Sequence, residues 1–188
     1  AQCLVGSEMC IRDRLYAKRQ NREGYVYGED TVWQREFEEM FPFEETEDQE
    51  LAIEATKQDM ESKKIMDRLI CGDVGYGKTE IALRAAFKAL QDGKQVVYLV
   101  PTTILAQQHY HNLAPLLERL GMRVALLTGS LSVKKKETLK AALAAGELDL
   151  CIGTHAILTA DTEFSRLGLV VTDEQHLSLI HISEPTRH

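Results

Sequence analysis

A glycine-rich segment in the first half of the chain has the residue types and the spacing needed to bind phosphate. It matches the pattern G-x-x-x-x-G-K-[ST] over residues 72–79. Glycine lets backbone N–H groups curl around an anion, because a side chain would block the close approach. We expect Lys78 to reach the β- and γ-phosphates of a nucleotide and the Thr79 hydroxyl to coordinate Mg²⁺. The predicted nucleotide-binding residues of this loop are Gly72, Asp73, Val74, Gly75, Tyr76, Gly77, Lys78 and Thr79.

An acidic segment near the other end of the chain complements this loop. Asp173, Glu174, Gln175 and His176 follow the apolar segment Leu167–Thr172. An acid at the carboxyl end of a buried strand, in a sheet that carries a phosphate loop, is placed to hold Mg²⁺. We therefore expect Asp173 to hold Mg²⁺, Glu174 to polarise the attacking water as a general base, and His176 to couple nucleotide state to a nucleic-acid side. The predicted catalytic residues are Lys78, Asp173 and Glu174, and the predicted cofactors are ATP and Mg²⁺.

Helical and strand patterns alternate along the part of the chain that must position these residues. A capping box, Thr46-x-x-Gln49, opens a helix that runs to about residue 62. Short, wholly apolar strands separated by helices indicate an α/β fold with a parallel sheet covered on both faces. The predicted strands are 68–71, 95–100, 123–127, 148–152 and 167–172, and the other predicted helices are 31–40, 77–91, 103–120 and 132–145.

Composition places the chain among ordinary globular proteins. Of its 188 residues, 44% are hydrophobic and 27% are charged, which argues against disorder throughout. No apolar run approaches the roughly 20 residues that span a bilayer, so no membrane partner is expected. The four cysteines form neither a dense disulfide framework nor a CxxC pair. We expect Cys71 and Cys151 to be buried, inert thiols in a reducing compartment.

The net charge of -7 comes from one part of the chain. Residues 15–50 hold four basic and eleven acidic residues, whereas residues 51–176 hold fifteen of each. The first segment is typical of a solvated acidic linker. The net charge argues against a protein that coats nucleic acid by charge alone. The remainder of the chain is neutral, and it can still contact DNA.

Both ends of the chain are expected to be foreign to the natural protein. The segments LSLIHISEPTRH, at 177–188, and CLVGSEMCIRDR, at 3–14, are encoded by the two strands of a single DNA element read one base out of frame. We interpret this element as a sequencing-library adapter and exclude residues 1–14 and 177–188 from functional reasoning. The expected organisation is then an acidic connector with a helix over 15–45 and an ATP-binding lobe over 46–176, cut at both ends.

The order of these motifs resembles that of superfamily 2 helicases and translocases. Residues 15–111 resemble the transcription-repair coupling factor family in LYAKRQ, WQREFEEMFPFEETEDQ, MDRLICGDVGYGKTEIALRAAFKA and VPTTILAQQHY. Residues 112–176 are closer to the related RecG helicase family in LGMRVALLTGS, GELDLCIGTHAIL and LGLVVTDEQH. The coupling factor usually lacks an element such as Leu127–Ser130, and RecG usually has Ser where Tyr76 stands. A join between two related genes near residues 109–111 is an open alternative.

The resemblance implies the first RecA-like lobe of a P-loop NTPase, a parallel sheet flanked by helices, incomplete at its C-terminus. The implied activity is that of an ATP-dependent double-stranded DNA translocase of DNA repair, which couples ATP hydrolysis to movement on DNA and displaces stalled RNA polymerase. It implies double-stranded DNA and RNA polymerase as partners in a bacterial cytoplasm. One alternative is a fork-reversing helicase of the RecG type. An alternative of another class is an isolated nucleotide-binding module without turnover.

The resemblance also implies roles for residues outside the two motifs. Gln49, with Phe43 upstream, resembles an adenine-reading element, although a role as the capping partner of Thr46 is equally open. Segments at strand ends resemble elements that touch DNA, and their hydroxyl and backbone N–H groups can bind phosphates without net positive charge. The predicted DNA-contacting residues are Thr102, Thr103, Gln107, Gln108, Thr128, Gly129, Ser130, Gly153, Thr154 and His155.

Two further groups of polar residues are candidates for binding roles. Lys134, Lys135 and Lys136 can extend a DNA track, or they can form a solvated helix face. His109 and His111 have no convergent acids or cysteines in the sequence pattern, so a metal site there is rejected.

Overall fold

A computed structural model of the chain describes residues 23–41, 45–73 and 75–173. The chain divides into two compact units, Ala1–Ala85 and Ala86–His188. Both adapter-like ends, as predicted from the sequence, lie outside the described residues, as do Phe43, Val74, Glu174 and His176. None of the described helices is both long and apolar enough to cross a membrane.

The described part of the first unit contains two helices and the start of a third. Helix α1 spans Val32–Glu39, α2 spans Glu47–Glu61, and α3 begins at Lys78 and runs to Gln91, across the boundary between the units. Thr31 caps α1, because its Oγ1 accepts a hydrogen bond from the Gln34 N–H at 3.2 Å. The capping box predicted at the start of α2 is confirmed in both of its hydrogen bonds.

Ion pairs and a short backbone pairing hold α1, α2 and the segment before α1 together. Lys57 on α2 contacts Asp30 at 2.6 Å and Glu38 on α1 at 2.7 Å. The backbone at 23–27 runs beside the end of α2, where the Tyr27 N–H donates to the Met60 carbonyl at 3.0 Å. The acidic segment predicted to be a solvated linker is thus partly paired with a lysine of the following helix.

The strand predicted at 68–71 is absent from the described structure, so this prediction was wrong. The segment has no ladder partner, and the Leu69 side chain is 86% exposed. Cys71 is an exposed free thiol rather than a buried one. An apolar run becomes a strand only when a neighbouring strand accepts its backbone hydrogen bonds, and no strand of the described sheet does so here.

The second unit is a parallel sheet with helices between its strands. Its elements are β1 (Gln95–Leu99), α4 (Thr103–Arg119), β2 (Val124–Leu127), α5 (Val133–Ala145), β3 (Leu150–Gly153), a 3₁₀ turn (His155–Ile157) and β4 (Leu167–Thr172). The strand order is β2-β3-β1-β4, with every neighbouring pair parallel. The α/β class and the parallel sheet predicted from the sequence are confirmed.

Burial is deepest at β1 and β3, where every residue is buried. The two apolar strands pack with β2 and α5 in a cluster formed by Val97, Leu99, Leu127, Leu143, Cys151 and Ile157. The one amide in β1, on Gln95, is satisfied by donating to the Leu143 and Leu148 carbonyls and accepting from the Arg166 N–H. Helix α5 ends at Gly146, whose φ of 75° is the left-handed conformation that favours glycine.

The cover predicted on both faces of the sheet is incomplete at β4. This strand lies at one end of the described sheet, and Leu167 and Val170 each remain 39% exposed. Its outer edge therefore carries unpaired backbone groups among the residues described, which is the usual liability of an edge strand.

The register of the sheet brings the carboxyl ends of its strands into one row. Gly153 at the end of β3 pairs with Leu127 of β2 on one side and with Leu99 of β1 on the other. Leu99 in turn pairs with Thr172 of β4. The residues that follow these positions therefore line a single edge of the sheet, which is where parallel α/β sheets bind ligands.

We expect the two described cysteines to differ sharply in reactivity. Burial raises the pKa of the Cys151 thiol to about 12, which lowers its thiolate fraction near pH 8 by about a thousandfold. Cys71 is exposed and should react with iodoacetamide in the native chain, whereas Cys151 should react only after unfolding. Peptide mass spectrometry distinguishes the two sites. Equal protection of Cys71 would show that the segment before the phosphate loop is buried after all.

Gly153 should tolerate no side chain. A Cβ at this position would overlap the carbonyl oxygen of Leu127 in the neighbouring strand. We expect Gly153→Ala to lower the free energy of unfolding by about 3 kcal/mol, measured from urea denaturation. The matched control is Gly129→Ala, since nothing lies within 4 Å of a Cβ there. Equal midpoints for the two variants would contradict the close approach of β2 and β3.

Candidate functional site

The phosphate loop leads directly into the first turn of α3. Gly75 and Gly77 have φ angles of 86° and 79°, a region in which other residues are strained. The Tyr76 N–H closes a turn on the Asp73 carbonyl at 3.1 Å. α3 begins at Lys78, and Gly77 before it has no side chain to cap the helix. The Glu80 N–H donates to the Gly77 carbonyl at 2.9 Å, whereas the N–H groups of Lys78 and Thr79 have no acceptor among the described residues. These two N–H groups are available to an anion.

The Lys78 ammonium group lies over this loop. Its Nζ donates to the Gly72 carbonyl at 2.5 Å and to the Asp73 carbonyl at 2.9 Å. Both acceptors are neutral, and a phosphate oxygen is the stronger acceptor for an ammonium group. Thr79, the predicted magnesium ligand, is half-buried in the same first turn. The first unit therefore brings together the described residues of the predicted loop around a cluster of N–H donors.

Gln49 connects α2 to the phosphate loop. Its Oε1 accepts from the Thr46 N–H at 2.9 Å, and its own N–H donates to Thr46 Oγ1 at 3.4 Å. Its Nε2 donates to the Tyr76 carbonyl within the loop. The capping role left open in the sequence is confirmed, whereas adenine reading stays a prediction.

Arg84, on the face of α3 that is buried, was not identified from the sequence. Its side chain is 2% exposed and pairs with Glu45 just before α2. The guanidinium carbon lies 4.7 Å from the centre of the Phe41 ring, and the Arg84 carbonyl accepts from Gln34 of α1 at 3.2 Å. One residue of the helix that follows the loop is thus anchored to α1 and to the C-terminal end of the connector. The available signal was a pair of basic residues four apart, Arg84 and Lys88, among the apolar residues of the helix, and both are buried.

Asp173 lies at the end of β4 within a cluster of side chains from the second unit. Its N–H donates to the Leu99 carbonyl at 2.9 Å, which extends the β1–β4 pairing by one residue. Its Oδ2 accepts from the Tyr98 hydroxyl at 3.0 Å. His109 Nε2 lies 3.5 Å from the same oxygen, and the Tyr98 and His109 ring centres are 5.1 Å apart. The predicted magnesium ligand is therefore held by residues that had no assigned role.

The statement that no acid converges on His109 was wrong. The fold brings the end of β4 beside α4, and the spacing of residues along α4 does not reveal this contact. A cluster of three or more His, Cys, Asp or Glu side chains that could hold a metal by themselves is nevertheless absent from the described part of the chain.

The predicted DNA-contacting residues follow β1, β2 and β3 in the chain or lie at the end of β3, and they differ in exposure. Thr103, Gln107 and Gln108 are on α4. Thr102 caps α4 through a 3.3 Å hydrogen bond from the Leu105 N–H. Thr128 is buried, and its Oγ1 is 2.9 Å from Ser130 Oγ. Gly153 is buried, and Thr103 and Thr154 are half-buried. The exposed members are Thr102, Gln107, Gln108, Gly129, Ser130 and His155.

The three lysines of α5 do not form a uniform face. Lys136 Nζ donates to the Gly129 carbonyl at 2.7 Å, which ties the start of α5 to the loop after β2. Lys134 and Lys135 are exposed. Their contribution to a DNA track stays a prediction.

The residues of the phosphate loop and Asp173 carry the chemical groups that bind a nucleotide and magnesium. The loop offers backbone N–H groups and one ammonium group, which bind phosphate. Asp173 offers a carboxylate whose Oδ1 has no hydrogen-bond partner among the described residues. Magnesium in nucleotide sites takes one or two protein oxygens together with phosphates and water, so a closed cage of side chains is not required.

Comparisons with known proteins agree with this chemistry. A family model described as DEAD/DEAH box helicase matches residues 46–184. The transcription-repair-coupling factors of Staphylococcus aureus strain USA300 and Staphylococcus haemolyticus strain JCSC1435 are 48% and 49% identical to the chain over 161 residues. Each alignment covers 86% of this chain, which spans only 14% of the relative's length.

A solved structure of RecG bound to a three-way DNA junction is also similar. It shares 36% sequence identity with a TM-score of 0.79 and covers 90% of this chain and 23% of the RecG chain. The resemblances predicted from the sequence, to the coupling factor and to RecG, are confirmed, as is the helicase-lobe fold.

We expect Arg84 to stabilise the first unit. Arg84→Ala removes the pair with Glu45 and the contact with Phe41, and should lower the free energy of unfolding by about 2 kcal/mol, since Glu45 itself remains partly solvated. Arg84→Lys should recover only part of this loss, because lysine lacks the planar group that stacks on the ring. The control is Arg35→Ala on the exposed side of α1. Equal urea midpoints for the Arg84→Ala and Arg35→Ala variants would refute the anchoring role.

Proposed function

Since the chain belongs to the DEAD/DEAH box helicase family, we propose that it binds ATP with Mg²⁺ and is part of an ATP-dependent double-stranded DNA translocase of DNA repair. The observation that carries this proposal is the phosphate loop, in which Lys78 Nζ lies over the Gly72 and Asp73 carbonyls beside the open first turn of α3. Both acceptors of this ammonium group are neutral carbonyls, and a phosphate oxygen would bind it more strongly.

The proposed roles follow the two motifs. Lys78 and the N–H groups of residues 77–79 bind the β- and γ-phosphates, and Thr79 and Asp173 each supply an oxygen to Mg²⁺. Bound magnesium neutralises charge that develops on the phosphates. Glu174 accepts the proton of the attacking water, and His176 couples nucleotide state to the DNA side. Gln49 contributes to the nucleotide site through the hydrogen bond it donates to the loop.

DNA binding is proposed along the row of strand ends in the second unit. Hydroxyl and amide groups there, including those of Thr102, Gln107, Gln108 and Ser130, are exposed. Contacts of this kind position a protein on the DNA backbone and need no net positive charge, which agrees with the neutral charge balance of residues 51–176.

For the whole protein we propose the activity of a transcription-repair coupling factor, with displacement of stalled RNA polymerase in a bacterial cytoplasm. The support is 48% identity to the factor of Staphylococcus aureus. A second candidate is a fork-reversing helicase, supported by the similarity to RecG bound to a three-way DNA junction. The uninterrupted genomic reading frame distinguishes these two candidates and a chimera. A polymerase-binding domain encoded upstream supports the first, whereas an oligonucleotide-binding wedge domain supports the second.

A candidate of another class is a nucleotide-binding module without turnover. For the 188-residue chain by itself we propose weak nucleotide binding and negligible hydrolysis, because the arginines that complete such ATP sites in this superfamily are expected on a second lobe. ATP hydrolysis by the full chain, measured with and without duplex DNA, decides this. DNA-stimulated turnover would refute the module and favour a self-sufficient motor.

Nucleotide binding should depend on Lys78. We expect Lys78→Ala to weaken binding of a fluorescent ATP analogue by at least about tenfold, because a charge-assisted hydrogen bond to phosphate is lost. The matched control, Lys135→Ala, removes an exposed lysine of α5 and should leave the dissociation constant unchanged. Fluorescence titration measures both. Equal affinities in wild type and the Lys78→Ala variant would show that nucleotide binds elsewhere, and the proposed site would be wrong.

A further inference from the structure

Tyr98 and His109 surround one oxygen of Asp173, and neither belongs to either of the two nucleotide motifs. Tyr98 is opposite Val171 in the β1–β4 pairing. Side chains alternate between the faces of a sheet, so Asp173, two residues beyond Val171, lies on the same face as Tyr98. The register therefore delivers the phenol hydroxyl to the carboxylate, where the two atoms are 3.0 Å apart.

The side chains of Tyr98, Asp173 and His109 are largely shielded from solvent, and this restricts their orientations. Tyr98 is fully buried, and the side chains of Asp173 and His109 are 14% and 18% exposed. A buried phenol needs a hydrogen-bond acceptor, and a carboxylate in a shielded site holds its orientation when one oxygen accepts from a fixed donor. The Tyr98 donor is fixed because its backbone lies within the central strand β1.

His109 packs against this pair from α4. Its ring is tilted by 39° to the Tyr98 ring, and its Nε2 is 3.5 Å from Asp173 Oδ2. The distance is too long for a strong hydrogen bond, so the main effect of His109 is to confine the phenol and the carboxylate between α4 and the sheet. Both contacts engage Oδ2, whereas Oδ1 has no partner in the part of the chain described.

We propose that Tyr98 and His109 are positioning residues that orient the Asp173 carboxylate, engaging Oδ2 and presenting Oδ1 to Mg²⁺. This inference rests on the proposed function, in which Asp173 binds magnesium. Partners that orient a metal ligand commonly change metal affinity by about 10- to 100-fold when they are removed. A phenol that merely found a convenient acceptor would affect folding stability and leave magnesium dependence unchanged.

The test measures how nucleotide binding depends on Mg²⁺ in the full chain. A fluorescent ATP analogue is titrated in EDTA and at a series of Mg²⁺ concentrations. Tyr98→Phe removes only the hydroxyl, and we expect it to raise the Mg²⁺ concentration for half-maximal enhancement by about tenfold, with affinity in EDTA unchanged. His109→Gln should act in the same direction by a smaller factor.

Matched controls come from α4 itself. Tyr110→Phe and His111→Gln make the same chemical changes at residues that contact each other, with ring centres 6.0 Å apart, and for which no contact with Asp173 is described. Neither should change the magnesium dependence. Thermal unfolding of every variant identifies any loss of fold, and the two test variants provide independent readings if one of them is unstable.

The outcomes separate the inference from the function on which it rests. If wild type responds to Mg²⁺ and Asp173→Asn abolishes the response, but Tyr98→Phe and His109→Gln behave like the controls, the positioning role is refuted and the proposed function stands. The same holds if the two variants weaken binding equally in EDTA and in Mg²⁺. If Asp173→Asn leaves the response intact, Asp173 is not the magnesium ligand, and both the role assigned to it and this inference are wrong.

Discussion

The parallel alignment of four strands is the constraint on which the second unit depends. Because Leu127, Gly153, Leu99 and Thr172 share one row of backbone pairing, every strand ends at the same level. The close approach at Gly153 leaves no room for a side chain, so the alignment is enforced by sterics as well as by hydrogen bonds. The loops that follow the strands then emerge side by side. Asp173 acquires its partners for this reason, since β1 lies beside β4 and α4 follows β1.

The first unit depends on side chains that join its helices around the phosphate loop. Gln49 caps its own helix and bonds to the loop, and Arg84 joins α3 to Phe41 and Glu45. Lys57 of α2 forms ion pairs with two carboxylates of the connector, those of Asp30 and Glu38. The described part of the acidic connector is therefore paired with α2 and α3 rather than being a separate charged tail.

The sequence was sufficient for features governed by local rules and insufficient for those governed by distant partners. The capping box at Thr46, the turn at Gly146 and the apolar strands β1 to β4 follow from short patterns, and all were predicted. The segment 68–71 has the same apolar pattern, yet whether it becomes a strand depends on a neighbour that the pattern does not contain. The contact of His109 with Asp173 joins residues far apart in the chain, so spacing along α4 could not predict it. Arg84 is a further case, because its partners lie before α2 and its pairing depends on how α1 packs.

The first turn of α3 and the loop before it are proposed to bind nucleotide phosphate through their backbone N–H groups. Hydrogen–deuterium exchange reports on these groups, and it can be measured on the full chain with and without Mg²⁺ and a non-hydrolysable ATP analogue. We expect slower exchange in the peptide that covers residues 75–81, while the peptide that covers β2 is unchanged. Unchanged exchange over 75–81 at saturating nucleotide, or protection confined to other peptides, would contradict this proposal.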